Sequence, residues 1–318
     1  MQSLVMRILV TGANGFIGNH LVLKLTTLGC YEVWCLVRRA PLKPVLRVKY
    51  FIVDDLSIQE PLHLALTGVD VIIHTAARVH IFNKSKKSAI AEYRSINVDG
   101  TVRLAEQAAA LGVRRFIFLS SIGVNGIKTE NGRLFTELDE PNPHSEYAIS
   151  KQEAENGLMH ISKNTDLEVV IIRPPLVYGL MAPGNFDKLV SVIRRGWYLP
   201  LGAIKNKRSF IGVDNLIEFI IICITHVNAV NQIFLVSDGA DLSTTDFVSE
   251  IARCSGLPVR LLSTPIFVLL ACGKLVQKPV LIETLCNNLQ IDITKAKKLL
   301  GWSPKISTKE GLKRAIID

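Results

Sequence analysis

No apolar run in this sequence reaches the roughly 20 residues that a membrane-spanning helix needs. The longest are LIEFIIICI, 216–224, which carries Glu218, and IFVLLACG, 266–273, which Lys274 ends. The second is expected to be buried in a folded lobe; peripheral membrane contact through it, beside Lys274 and Lys278, is the alternative and not the leading expectation. The opening segment, MQSLVMRILV, runs straight into a strand pattern without a signal-peptide core or cleavage site, and a cytoplasmic location is the expectation. Cysteine is scarce. The six residues, at 30, 35, 223, 254, 272 and 286, form no CxxC pair and lie near no histidine at ligand spacing. They read as buried small apolar residues, and no metal site is expected. Aromatics are few, and the basic clusters NKSKK, 83–87, and KAKK, 295–298, have none between their cations. They read as solvated faces, not as nucleic-acid sites. The net charge of +9 favours anionic ligands or an acidic surface as partners.

What the chain does have is apolar strand patterns alternating with helix patterns. RILVTG, YEVWCLVRR, VKYFIVDD, DVIIHTAA, VRRFIFLSS and LEVVIIRPP read as strands. IGNHLVLKLTTLG, VDGTVRLAEQAAALG and EYAISKQEAENGLMHIS read as helices, the first two stopped by Gly29 and Gly112. Continuous Val/Ile/Leu strands between helices predict an α/β fold with a parallel sheet covered on both faces. After Arg173 the pattern loosens around Pro174, Pro175, Pro183 and Pro200. The tail reads as a helix, a turn at Gly301 and Pro304, and a last helix. A second, smaller lobe follows.

Gly12, Gly15 and Gly18 come directly after a strand and open a helix. Glycines let backbone approach a pyrophosphate closely, and a helix N-terminus offers unpaired N–H groups. This context predicts dinucleotide binding. Further on, Tyr147 stands four residues before Lys151 in SEYAISKQEAE. On a helix the two share one face. Alone, the pair is either an ordinary surface pair or a proton-transfer device.

The motifs TGANGFIG, DDL (54–56), HTAA (74–77), NVDGT (97–101), SSIGVNG (120–126), YAISK (147–151), RPPLVYG (173–179) and RSFIGVDNL (208–216) occur in this order. In them the whole chain resembles the extended short-chain dehydrogenase/reductase family, and within it the enzymes acting on nucleotide-activated sugars. The resemblance implies a Rossmann-type doubly wound parallel sheet with a smaller C-terminal substrate-binding lobe. The expected division is 1–172 for the dinucleotide, with a return segment at about 205–236, and 173–204 with 237–318 for the substrate. The cofactor residues it implies are Gly12, Asn14, Gly15, Phe16, Ile17 and Gly18 in the loop, then Asp55 and Leu56, with Asp55 toward the adenine. Ala76 and Ala77 would line the nicotinamide side, Asn97 would support the site, and Pro174 would join Tyr147 and Lys151 at the cofactor. Read singly, Asp55 and Asn97 would serve equally as helix caps.

The resemblance also implies a catalytic set of Ser121, Tyr147 and Lys151. A neighbouring ammonium and an oxidised nicotinamide ring would pull the Tyr147 phenol down toward neutrality. Ser121 would hold the reacting oxygen, and Lys151 would also hold the nicotinamide ribose. Arg208 and Asn185 would bind the substrate diphosphate; the lesser alternative pairs Arg208 with Asp214 or another carboxylate. Two departures stand out: Asn125 replaces the tyrosine of VYG, and Leu176 stands where some epimerases carry asparagine. NAD-binding relatives usually end the second strand on an acid; here Val37, Arg38 and Arg39 stand there, which favours NADP(H) over NAD.

The leading expectation is therefore NAD(P)-dependent hydride transfer at carbon 4 of a UDP-activated (N-acetyl)hexose by a 4-keto-sugar reductase of the UDP-N-acetylquinovosamine type. The alternatives are a UDP-glucose or UDP-N-acetylglucosamine 4-epimerase with bound NAD, and a reductase of a small non-sugar carbonyl. Surface-polysaccharide biosynthesis is the implied setting. A homodimer through VDGTVRLAEQAAALG and YAISKQEAENGLM is the expected assembly.

Overall fold

A computed structural model describes residues 5–54, 62–79, 86–275, 277 and 279–317. The chain forms two compact units. The first comprises Met1–Val124, Pro141–Arg173 and Ile217–Phe234; the second comprises Asn125–Glu140, Pro174–Leu216 and Leu235–Asp318.

The first unit opens with β1 (Met6–Thr11), α1 (Phe16–Leu28), β2 (Tyr31–Val37) and β3 (Val48–Ile52). Then come α2 (His63–Leu66), β4 (Val71–His74), α3 (Lys86–Tyr93) and α4 (Gly100–Ala110), the last two joined by a π-helical stretch, Arg94–Asp99. β5 (Arg115–Leu119), α5 (Glu146–Asn164) and β6 (Glu168–Arg173) follow. The seven-stranded sheet has the order β3-β2-β1-β4-β5-β6-β9, where β9 is Gln232–Leu235. From β3 to β6 every pairing is parallel. Ile8, Leu9 and Val10 of β1 are wholly buried, as a central strand covered on both faces requires.

Strand order reverses between β1 and β4, so a crevice opens beyond their carboxyl ends, where the connections leave in opposite directions. Gly29, at φ 69°, ends α1 in the left-handed region. Leu9, Ile72, Phe116 and Ile171 from the sheet pack with Leu104, Ala108, Ala154 and Leu158 of α4 and α5. These two helices run close together. A Cβ on Gly157 would lie 2.5 Å from Val102 Cγ2.

The second unit contains β7 (Leu176–Tyr178), α6 (Asn185–Arg194) and β8 (Phe210–Gly212), which pairs in parallel with β7. α7 (Val213–Thr225) leads from this unit back to the first. α8 (Thr244–Cys254), α9 (Ile266–Leu275), α10 (Pro279–Cys286), α11 (Thr294–Leu300) and α12 (Thr308–Ile317) complete the second unit. Its core is aromatic: Phe210 stacks on Phe247 at 4.1 Å, with Tyr178 and Phe186 beside them. The Tyr178 hydroxyl donates to buried Asp238 at 2.6 Å, which also accepts from Asn215 and the Gly212 N–H.

Three sequence expectations fail here. The helix read from residue 98 begins a dozen residues earlier, because α3, the π-helical stretch and α4 are continuous in backbone conformation. Only Cys35 and Cys223 are buried; Cys30 lies exposed beside the turn that ends α1, and Cys272 lies on the open side of α9. IFVLLACG is not buried as a whole, since within α9 only Leu269 and Gly273 are buried while Phe267 and Leu275 face outward. No described helix is long and apolar enough to cross a membrane.

Candidate active site

The glycine loop closes on the β4 end of the switch point. Gly12 has φ +71°, and a Cβ there would meet the Ala76 nitrogen at 2.7 Å. A Cβ on Gly18 would fall 2.2 Å from the Gly12 oxygen. Side chains are thus excluded at both positions by backbone. Gly15 is the N-cap of α1 and donates to Gly12 O at 2.8 Å. No side chain caps this helix, and no acid sits in its first turn, which Phe16 and Ile17 begin. An uncapped helix start without acidic residues, under a cradle that only glycine fits, suits a pyrophosphate. Asn14 Nδ2 donates to the Arg39 carbonyl at 2.8 Å, which ties the segment after β2 to the loop. Arg38 and Arg39 are exposed and follow buried Val37. Asp55 and Leu56 lie outside the described residues.

Behind this loop runs a buried polar chain. Thr101 Oγ1 donates to the Asn97 carbonyl at 2.8 Å, so it accepts from His74 Nε2 at 3.0 Å. The His74 proton therefore sits on Nε2, and Nδ1 accepts from Thr11 Oγ1 at 2.7 Å. Burial, and then the charge of Lys151, push the imidazole down to about 3, so it stays neutral. Asn97 lies in the π-helical stretch, and its side chain accepts from Arg78 N at 2.8 Å and donates to Arg78 O at 3.0 Å. Its Nδ2 also donates to Ser150 Oγ, which donates to the Tyr147 carbonyl. Asn97 is thus no helix cap. It joins the loop after β4, which carries Ala76 and Ala77, to the first turn of α5.

The Ser145 hydroxyl accepts from Ala148 N and starts α5. This places Tyr147 and Lys151 one turn apart on the side facing β5. Lys151 is buried, with its Nζ 2.8 Å from the Leu119 carbonyl, 4.3 Å from the centre of the Phe118 ring and 6.0 Å from that of Tyr147. Two residues beyond Leu119, Ser121 Oγ accepts from Gly123 N at 3.1 Å. Gly123 lies between this hydroxyl and Ala148, since a Cβ there would be 3.3 Å from each. Ser121, Tyr147 and Lys151 therefore share one wall. Below it, Glu155 and Arg173 form a buried two-point ion pair, with Nη2 to Oε2 at 2.5 Å, and Ser120 donates to the same carboxylate.

Burial drives the two titratable groups of this wall in the direction opposite to the expected tuning. The Tyr147 phenol is raised, by burial and then by Tyr93, whose ring meets it edge-on at 6.2 Å. Lys151 is lowered to about 7 by burial, which Glu155 partly opposes. The Lys151 ammonium is directed at Leu119, and it does not by itself lower the phenol. A phenolate at Tyr147 requires a further positive charge, of the kind an oxidised nicotinamide carries.

In the second unit, Arg208 Nη1 donates to the Thr284 and Asn287 carbonyls at 2.5 and 3.0 Å, and burial lowers the guanidinium to about 10. The alternative partner, Asp214, lies 3.6 Å from Arg314 instead. Asn185 is the first residue of α6. Pro174 is buried at the start of this unit, and Asn125 is buried with its amide on the Thr136 carbonyl. Leu176 is 38% exposed at the head of β7.

The glycine cradle, the Ser–Tyr–Lys wall and the strand order can be set beside known proteins. The family model described as "NAD dependent epimerase/dehydratase family" matches residues 8–237. The chain belongs to this family. It is similar to a UDP-glucose 4-epimerase of Vibrio cholerae, 41% identical over 308 residues, covering 96% of this chain and 93% of the relative. It is also similar to an N-acetyl-alpha-D-glucosaminyl-diphospho-ditrans,octacis-undecaprenol 4-epimerase of Escherichia coli O157:H7, 26% identical, covering 97% of this chain and 94% of that one. Among solved structures, a UDP-glucose 4-epimerase of Thermotoga maritima with UDP-glucose superposes with a TM-score of 0.79 at 24% identity, covering 98% of both chains. As an NAD-dependent epimerase/dehydratase family member, the chain is an enzyme of the extended short-chain dehydrogenase/reductase type, and it depends on a nicotinamide dinucleotide.

Sequence reasoning assigned no role to His74, Thr11, Thr101, Ser150, Glu155 or Arg173. A signal was present: Thr11 and His74 directly follow the apolar runs Ile8–Val10 and Val71–Ile73, and Glu155 follows Lys151 by one helical turn. Polar groups at such positions need buried partners.

Proposed function

We propose that this family member is a UDP-sugar 4-epimerase that keeps its NAD bound and inverts carbon 4 of a UDP-hexose or UDP-N-acetylhexosamine. The observation that carries this reading is the 41% identity, along nearly the whole of both chains, with the Vibrio cholerae UDP-glucose 4-epimerase. It favours the epimerase over the 4-keto reductase that the sequence motifs put first. Bound NAD would supply the acceptor for the carbon-4 hydride and its return to the opposite face of the sugar, which inverts the carbon. The chain's own residues manage the proton and the geometry. Tyr147 takes the proton of the 4-hydroxyl as the carbonyl forms and gives it back on the return. Ser121 holds the same oxygen by hydrogen bonding and stabilises charge on it. Lys151 is the cation of this wall, and the polar chain through Asn97 and Ser150 fixes the turn that carries Tyr147.

Both relatives are named for a sugar borne on a diphosphate, as UDP in one and on undecaprenol in the other. Arg208 and Asn185 are the residues we assign to that group; a half-buried guanidinium suits phosphate oxygens. The pairing of α4 with α5 is the element we assign to a homodimer, with Val102 and Met159 only partly buried.

A second reading, a 4-keto-sugar reductase using NADPH, has one observation in its favour. Arg38 and Arg39, both exposed, follow Val37 where a carboxylate would hold the ribose of NAD. The test separates the two. Purified protein is given UDP-glucose, UDP-N-acetylglucosamine or a UDP-4-keto-6-deoxy-N-acetylhexosamine with NADPH, and products are followed by chromatography and nicotinamide absorbance. Interconversion with the galacto-configured sugar and no net loss of absorbance is the expected result. Stoichiometric NADPH oxidation on the keto sugar, without epimerisation, would overturn the proposal in favour of the reductase.

A further inference from the structure

We propose that the second unit docks on an anionic lipid bilayer through α9, α10 and the segment around Trp197, with these elements lying in the plane of the surface. The inference goes beyond the reaction and does not depend on it. α9 buries Leu269 and Gly273 on one side, yet its opposite stripe of Phe267, Ala271 and Leu275 is also apolar. Phe267 is 73% exposed and Leu275 is 85% exposed. A helix at a water-facing surface normally carries charge on its outer side; α9 carries only Lys274. α10 packs against α9 and has no buried residue, leaving Val280 and Leu281 exposed.

The surface continues through hydrogen bonds. Leu199 N donates to the Arg260 carbonyl, Leu262 N to Leu199 O, and the Arg260 side chain to Gly196 O. The guanidinium of Arg260 stands 5.6 Å from the ring centre of exposed Tyr198, and Trp197 beside it is 60% exposed. Tryptophan and tyrosine are the side chains enriched at the level of lipid headgroups. α9 begins four residues after Leu262.

Charge decides the occupant. α10 carries one exposed acid, Glu283; the stretches 188–213 and 251–275, which contain the rest of this surface, hold nine Lys and Arg and no Asp or Glu. Arg195, Lys205, Lys207, Arg260 and Lys274 among them are exposed. A second copy in a two-fold contact would set these cations against their own images, whereas anionic headgroups neutralise them. Apolar side chains bordered by cations, with no helix long enough to span, are the pattern of an interfacial docking surface.

The test uses the full chain with vesicles of phosphatidylcholine alone and of phosphatidylcholine mixed with phosphatidylglycerol. Flotation with the anionic vesicles, weakened by salt, is expected. The double variant Phe267→Glu/Leu275→Glu should lower the vesicle-bound fraction about tenfold or more. Native fluorescence gives a readout that needs no variant. Of three tryptophans, Trp34 and Trp302 are buried, so quenching by brominated acyl chains reports Trp197. Absence of flotation, absence of quenching, or flotation unchanged by the folded double variant would overturn the proposal. So would a dimer in sedimentation that the double variant dissociates while no vesicles are bound. Each of these outcomes leaves the epimerase assay untouched.

Discussion

In the sheet-containing unit the exceptional residues are charges turned inward; in the second unit they are apolar side chains turned outward. Lys151, Glu155 and Arg173 are all buried in the first, and Phe267 and Leu275 are largely exposed in the second. The inward charges are held by geometry. Glu155 and Arg173 neutralise each other through a two-point pair, and Lys151 finds the Leu119 carbonyl and the Phe118 ring. Removing charge from water is costly, and it persists where every partner is in place. The outward apolar residues have no such compensation inside the chain. The contrast teaches that a departure from the inside–outside rule marks chemistry in one unit and a surface in the other.

Four variants of the sheet-containing unit and one of the second put this contrast under strain. The largest effect is expected for Tyr147→Phe, which should lower epimerisation by about two to four orders of magnitude with the melting temperature unchanged. Full turnover in that variant would mean that the buried wall serves only the fold. Next comes Glu155→Gln, which leaves Arg173 buried without its counter-charge and should cost about 3–5 kcal/mol in urea unfolding. The double replacement Glu155→Leu/Arg173→Met should restore much of that stability, since it removes both charges together.

A smaller effect concerns His74. Its folded-state value, about 3, lies below the usual imidazole value. Between the two the unfolded chain binds a proton that the folded chain refuses, so stability falls as pH falls through this window. The loss should be about 2 kcal/mol at pH 5 relative to neutrality. In His74→Asn this part of the pH dependence should vanish, as measured by denaturant melts at several pH values. The smallest effect belongs to the second unit. Phe267→Ser, at an outward position, should change stability by no more than about 0.5 kcal/mol. A larger loss would show that α9 is part of the core and would remove the contrast.

The alternating strands and helices around the glycine triplet were legible because a strand buried on both faces leaves a continuous apolar run, and the tail helices because Gly301 stops one of them in the left-handed region. Ser121, Tyr147 and Lys151 were legible as motif positions, and the structure brings them to one wall. The environment of that wall was not legible. Local spacing places Lys151 one turn from Tyr147, but its ammonium goes to Leu119, 32 residues earlier. The direction of both shifts follows from burial, which no spacing reports. Likewise α9 and a buried core helix have the same composition, and only the burial of Leu269 and Gly273 together with the exposure of Phe267 on the opposite side distinguishes them.

The amino-acid order alone determined the α/β class, the glycine turn and the helical phase of Tyr147 and Lys151, because each depends on short-range sterics and on periodicity along one element. Tertiary structure decided the neutral tautomer of His74, the Glu155–Arg173 pair beneath Ser120, the partners of Arg208 and the outward face of α9. These depend on which distant residues meet and how much water they exclude, and free energies of that kind arise only once the chain has closed on itself.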